Sequence, residues 1–129
     1  MYTELSRTLN EVLAFSNKHC IEAVFNIHTA GDLRRDSENI AEYWATFEKG
    51  AGVYIIINVV ESNTHYVGMS QYDIGGRIVD WLFSDNKVNE AVSNEDIVLT
   101  INLPQEKYIS PALESFLIER LNPILNKKR

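Results

Sequence analysis

The chain has 129 residues, 45% of them hydrophobic, enough for one domain with a core of its own and too apolar for a disordered chain. Twelve basic against 18 acidic residues leave a formal charge of −6, which sets it apart from proteins that grip nucleic acid through a broadly basic surface. No apolar run approaches the roughly 20 residues of a membrane span, and the single cysteine, Cys20, excludes an internal disulfide and a cysteine-rich zinc site.

Met1 to Leu5 lacks the basic and apolar regions of a signal peptide, so the expected setting is the reducing cytoplasm. Thr3 to Lys18 is expected to be a helix, because Leu5, Leu9, Val12, Leu13 and Ser16 fall at helical spacing; Thr3 is its expected cap. From Cys20 to Ile27 the bulky residues Ile21, Val24, Phe25 and Ile27 favour a strand. Thr29 to Asp36, with Gly31 and the pair Arg34-Arg35, has the composition of a loop. Asp36 or Ser37 then caps an expected helix to about Glu48, its apolar face made of Ile40, Tyr43, Trp44 and Phe47. His19, Cys20 and His28 lie close in sequence, but their spacing follows no metal-ligand pattern.

The most informative stretch comes next. Gly52-Val53-Tyr54 opens the β-branched run Ile55 to Val60, a polar turn spans Glu61 to Thr64, and Tyr66-Val67-Gly68 follows. This is the pattern of a hairpin. Alternation puts Tyr54 and Ile56 on one face and Val53, Ile55 and Ile57 on the other, with Tyr66 and Gly68 sharing a face on the second strand. His65 is expected on the face away from Tyr66. Met69 to Gly76 is a polar connection ending in two glycines, and Arg77 to Phe83 is an expected helix. Ser84 to Asp96 is expected to be a loop, Ile97 to Leu103 a third strand, and Pro104 to Ile109 a connection. In the last helix Ser110 caps, Pro111 sits in the first turn, Leu113, Phe116, Leu117 and Leu121 form the buried face, and Pro123 stops it.

The expected fold is therefore α/β (α+β): a small, mainly antiparallel sheet of about three strands flanked by helices, with an N-terminal helical extension. No linker, repeat or low-complexity segment interrupts it, so residues 1–129 are expected to form one domain, 1–49 packing on a core of 50–128. Taken singly, the polar residues have plain explanations. Two tyrosines suit a half-buried hairpin, a glutamate suits the first turn of a helix, and Arg77 has Asp73 and Asp80 nearby for an ion pair.

Taken in order, Gly52-Val53-Tyr54, Tyr66-Val67-Gly68, Arg77, Glu114 and Asn126 resemble the motifs of the GIY-YIG nuclease superfamily, over Gly50 to Lys128. The resemblance implies a metal-dependent endonuclease that hydrolyses phosphodiester bonds in nucleic acid, with DNA expected ahead of RNA and the choice between them left open by the sequence. It implies Tyr66 as the base that activates water, Tyr54 as a hydrogen-bond donor to the phosphate and Arg77 as the clamp on its developing charge. It implies Glu114 as the ligand of Mg²⁺ or Mn²⁺, and Asn126 as a phosphate contact or an anchor for the last turn. Gly68, Ser70, Lys127 and Lys128 are the expected substrate contacts beside them.

The chain departs from the superfamily pattern at two places. Trp81 stands where many members have histidine or tyrosine, and Met69 where many have lysine, so two groups able to relay a proton are gone. Tyr72 is the nearest phenol that might have taken their place. These departures and the acidic charge support an alternative: a catalytically weak or inactive protein of the same fold that binds or regulates a protein partner. On the nuclease reading sequence choice is expected to come from a protein partner, a lesion or a DNA shape, and no membrane is involved.

Overall fold

The computed structural model describes residues 3–36, 50–75, 77–78, 90–103 and 108–126. Helix α1 spans Thr3–His19, strand β1 Val24–Thr29, helix α2 Ala30–Asp36, strand β2 Gly52–Asn58, strand β3 Asn63–Ser70, strand β4 Ile97–Asn102 and helix α3 Ile109–Leu121, and a 3₁₀ turn covers Ile124–Asn126. The expected helix from Asp36 or Ser37 to Glu48, the part of the Arg77–Phe83 helix that holds Trp81, residues 84–89, most of the Pro104 connection and the basic tail with Lys127 and Lys128 lie outside the described residues.

The strands form one antiparallel sheet in the order β1-β4-β2-β3. The class is α+β, as the sequence implies, but the sheet has four strands where about three are expected. The extra strand is β1, shifted a few residues downstream of Cys20–Ile27 and paired along its whole length with β4. The N-terminal segment thus builds into the sheet instead of only covering it. The two inner strands, β2 and β4, are buried on both faces, which is why they appear in the sequence as nearly unbroken β-branched runs.

On one face Val53, Ile55, Ile57, Val67, Leu99 and Ile101 meet Val12 and Phe15 of α1 and Leu113, Leu117 and Leu121 of α3. On the other, Tyr54, Ile56 and Val98 meet Ala30 and Leu33 of α2 with Ile74, Ile78 and Val92. Alternation along β2 is therefore as expected. α1 is latched by a buried carboxylate: Glu4 accepts a bidentate contact from Arg7 at 2.9 and 2.7 Å and the Thr64 hydroxyl at 2.6 Å. Arg7 also reaches the backbone carbonyls of Arg120 and Leu121 at the end of α3.

Local expectations fail at three places. Thr29 to Asp36 is not a loop. The Asp32 N–H donates to the Thr29 hydroxyl at 3.1 Å, a helix N-cap, and Ala30 and Leu33 are fully buried beneath α2. Gly31, which suggested a loop, instead gives close approach to Asn94, whose carbonyl accepts its N–H at 2.9 Å. Ser110 does not cap α3. The helix starts two residues earlier, with Tyr108 at the cap position, which has helical dihedrals and no side-chain cap, and the Ser110 Oγ is buried. The expected stop at Pro123 is met: the helix ends at Leu121, and Asn122, left-handed at φ 51°, closes its N–H on the Ile118 carbonyl at 3.0 Å. Finally, Thr3 is the first described residue of α1, inside the helix rather than ahead of it.

Candidate active site

Tyr54 stands opposite Gly68 in the β2–β3 ladder, and Ile56 stands opposite Tyr66. Opposed residues share a face, so both phenols sit on the α2 side, as diagonal neighbours. Their ring centroids are 6.0 Å apart with planes inclined at 43°. Gly68 has a different role from the one expected. A Cβ there would overlap the Tyr54 ring, so the missing side chain makes room for that ring and not for a ligand against the backbone.

Tyr54 is fully buried, at 0% exposure, and its hydroxyl has no hydrogen-bond partner among the described residues. Burial pushes its pKa far above the ordinary phenol value. The Tyr66 phenol adds to the rise, the Arg77 guanidinium opposes it and the Glu114 carboxylate adds again. Tyr66, Arg77 and Glu114 thus all act electrostatically on the Tyr54 phenol. The Tyr66 hydroxyl bears on Tyr54 without completing a hydrogen bond of good geometry. At neutral pH Tyr54 is a protonated donor. It is not a base, because burial outweighs the Arg77 charge that alone would lower its pKa.

Arg77 is exposed and lies in the helical residues just after β3, its N–H bonded to the Asp73 carbonyl at 3.2 Å. That start is set by Ser70, whose Oγ accepts the N–H groups of Tyr72 and Asp73 at 3.1 and 2.9 Å. Ser70, an expected substrate contact, is therefore engaged in the turn that precedes the helix. The helical residues begin at Ile74, so Gly75 lies inside them and not ahead of them.

Glu114 is half-buried on the second turn of α3 and lines a pocket of about 400 Å³ with Ser115, Ile118, Glu119 and Asn126. Glu119 was not flagged in the sequence, because five residues on a helix is not a same-face spacing. The carboxylates here offer oxygen donors, which suit a hard cation such as Mg²⁺ or Mn²⁺. Among the described residues no three His, Cys, Asp or Glu side chains converge, so a cation at Glu114 would complete its shell from water and substrate oxygens.

Asn126 is committed to the fold. Its Oδ1 accepts the Val67 N–H at 2.7 Å and its Nδ2 donates to the Val67 carbonyl at 2.9 Å. The side-chain amide thus pairs with the outer edge of β3 as a neighbouring strand would, between Tyr66 and Gly68. The departure at Met69 is placed away from the phenols: it pairs with Val53 and packs on the α1–α3 side. Tyr72 is exposed. The chain matches no model of a known protein family, no curated protein and no solved structure.

Proposed function

We propose that this chain is a metal-dependent endonuclease of the GIY-YIG type, hydrolysing phosphodiester bonds in nucleic acid, with DNA the expected substrate. One observation carries the reading: the Tyr54 and Tyr66 rings lie 6.0 Å apart on one face of the β2–β3 hairpin, with Arg77 and Glu114 near enough to act electrostatically on the buried Tyr54 phenol. Tyr66, Arg77 and Glu114 also have plain roles singly; their shared effect on one phenol is what the nuclease reading explains. Arg77 offers a bidentate, permanently charged contact to phosphate oxygens. Tyr54, held neutral, donates to a developing negative charge, and Tyr66, half-exposed beside it, is the phenol open to water. Glu114 would hold the cation, which supplies Lewis-acid stabilisation of the phosphate charge. The proposed setting is the cytoplasm; among the described residues no helix is long and apolar enough to cross a membrane.

The second reading is an inactive binding protein of the same fold with a protein partner. The complete burial of Tyr54 favours it, because a sealed donor needs local opening to touch a substrate. Cleavage of supercoiled plasmid and single-stranded oligonucleotides in Mg²⁺ or Mn²⁺ separates the two. The expected result is cleavage by the wild type that falls about 100-fold or more in Glu114→Ala and in Arg77→Ala. Activity that survives both substitutions removes the site, and a wild type inert on every substrate leaves the binding reading.

A further inference from the structure

The β2–β3 ladder contains one residue more than it needs. From Gly52 to Ile56 the partners run without a break from Ser70 back to Tyr66; Ile57 then pairs with Thr64 and Asn58 with Asn63. Nothing lies between Ile56 and Ile57, but His65 lies between Thr64 and Tyr66, so His65 is the inserted residue of a β-bulge. In a regular strand Thr64 and Tyr66 would share a face. Here they do not: Thr64 donates to Glu4 on the α1 side, while Tyr66 packs beside Tyr54 on the α2 side.

Pairing does not explain the insertion. Without His65, Thr64 would still face Ile57 and Tyr66 would still face Ile56, in an unbroken ladder. The bulge also has a local cost, since His65 is 9% exposed and its Nδ1 is buried without a hydrogen bond among the described residues. What a bulge adds is a bend and extra twist that re-aim the next side chain, and the next side chain is Tyr66. Diagonal neighbours on a flat ladder have their Cα atoms roughly 7–8 Å apart, within reach of an aromatic ring, so what the bulge sets is the angle at which Tyr66 meets Tyr54, 43° between ring planes. Just beyond it, the Asn126 amide grips Val67 and holds the bent segment in place.

We infer that the His65 bulge is a positioning device: its backbone, not its imidazole, tilts Tyr66 against Tyr54, a role whose catalytic meaning rests on the nuclease reading above. The test compares the wild type, a deletion of His65, and His65→Ala, which keeps the inserted residue. Two readouts are used, the NOE between the Tyr54 and Tyr66 rings, which needs no activity, and cleavage resolved into kcat and KM. The deletion is expected to fold cooperatively with a melting temperature no lower than the wild type. It should weaken or lose the ring NOE and lower kcat about 100-fold with little change in KM. His65→Ala should keep both readouts near the wild type. A deletion that leaves the ring NOE unchanged overturns the inference, and so does one that fails to fold, since the ladder is claimed to close without the residue. Loss of the NOE in a folded His65→Ala overturns it too, by assigning the role to the imidazole. A wild type without cleavage removes the nuclease reading alone, and the NOE still decides the tilt.

Discussion

The Tyr54 hydroxyl lies in the protein interior with no hydrogen bond of good geometry among the described residues. A buried, unpartnered hydroxyl costs stability, about 1–3 kcal/mol by mutational measures. Its ring is also the reason residue 68 is glycine. Tyr54→Phe keeps the ring, the packing over Gly68 and the contact with Ile56. The expected outcome is a variant at least as stable as the wild type in urea titration, by up to about 1 kcal/mol, whose cleavage rate falls roughly 10- to 100-fold. The opposed signs are the point of the measurement. A variant both stabilised and fully active would make Tyr54 a packing residue and remove it from the site.

Helix α1 depends on one latch at its start. Glu4 is only 6% exposed, and burial alone would raise its pKa; the hydrogen bonds from Arg7 and Thr64 and the Arg7 charge outweigh that and hold it below the ordinary carboxylate value of 4.5. A carboxylate whose folded pKa is depressed contributes stability above its unfolded value and loses it as pH falls through the folded value. The contribution is therefore complete at neutral pH and drains below about pH 4.5. Glu4→Gln should lower stability at pH 7 by about 1–2 kcal/mol, a modest figure because Arg7 is half-exposed, and the wild-type advantage should shrink on acidification. Chemical denaturation of both proteins at pH 7, 5 and 3.5 checks the sign; an advantage constant across that range would mean the latch does not titrate with folding. At this scale much of the fold was legible. α1, β2, β4 and α3 were visible because apolar spacing and burial coincide in them. α2 was hidden because Gly31 is there for contact with Asn94, and its cap, Thr29, is also the last residue of β1. The bulge was invisible because nothing about Thr64-His65-Tyr66 departs from ordinary alternation; only the register of the opposite strand exposes it. Of the site, the residue types were legible and their environments were not: no pattern announces that Tyr54 is sealed or that Asn126 and Ser70 are spent on backbone groups.

The whole molecule carries a charge of −6, and any contact with nucleic acid has to work against it. Two of the twelve basic residues are tied down in ion pairs, Arg7 to Glu4 at 2.7 Å and Arg120 to Glu11 at 3.1 Å. The cations that the nuclease reading assigns to phosphate are three, Arg77 beside the phenols and Lys127 and Lys128 directly after the Asn126 anchor. Each phosphate neutralised on duplex DNA contributes about −0.9 to the slope of log K against log salt concentration, so three contacts give a slope of roughly −3. A broadly basic binder with 6–10 contacts has a slope about two to three times steeper. Fluorescence anisotropy on a duplex oligonucleotide between 25 and 200 mM salt, about the range over which such slopes are read, measures it directly. Lys127→Ala with Lys128→Ala should remove about two-thirds of the slope and leave the remainder to Arg77. A slope near −3 that falls in this way ties binding to the tail and the clamp. A steep slope indifferent to the tail would place the nucleic acid on another surface, and binding with no salt dependence would exclude phosphate contact as the basis of the interaction and favour the protein-partner reading for the acidic face.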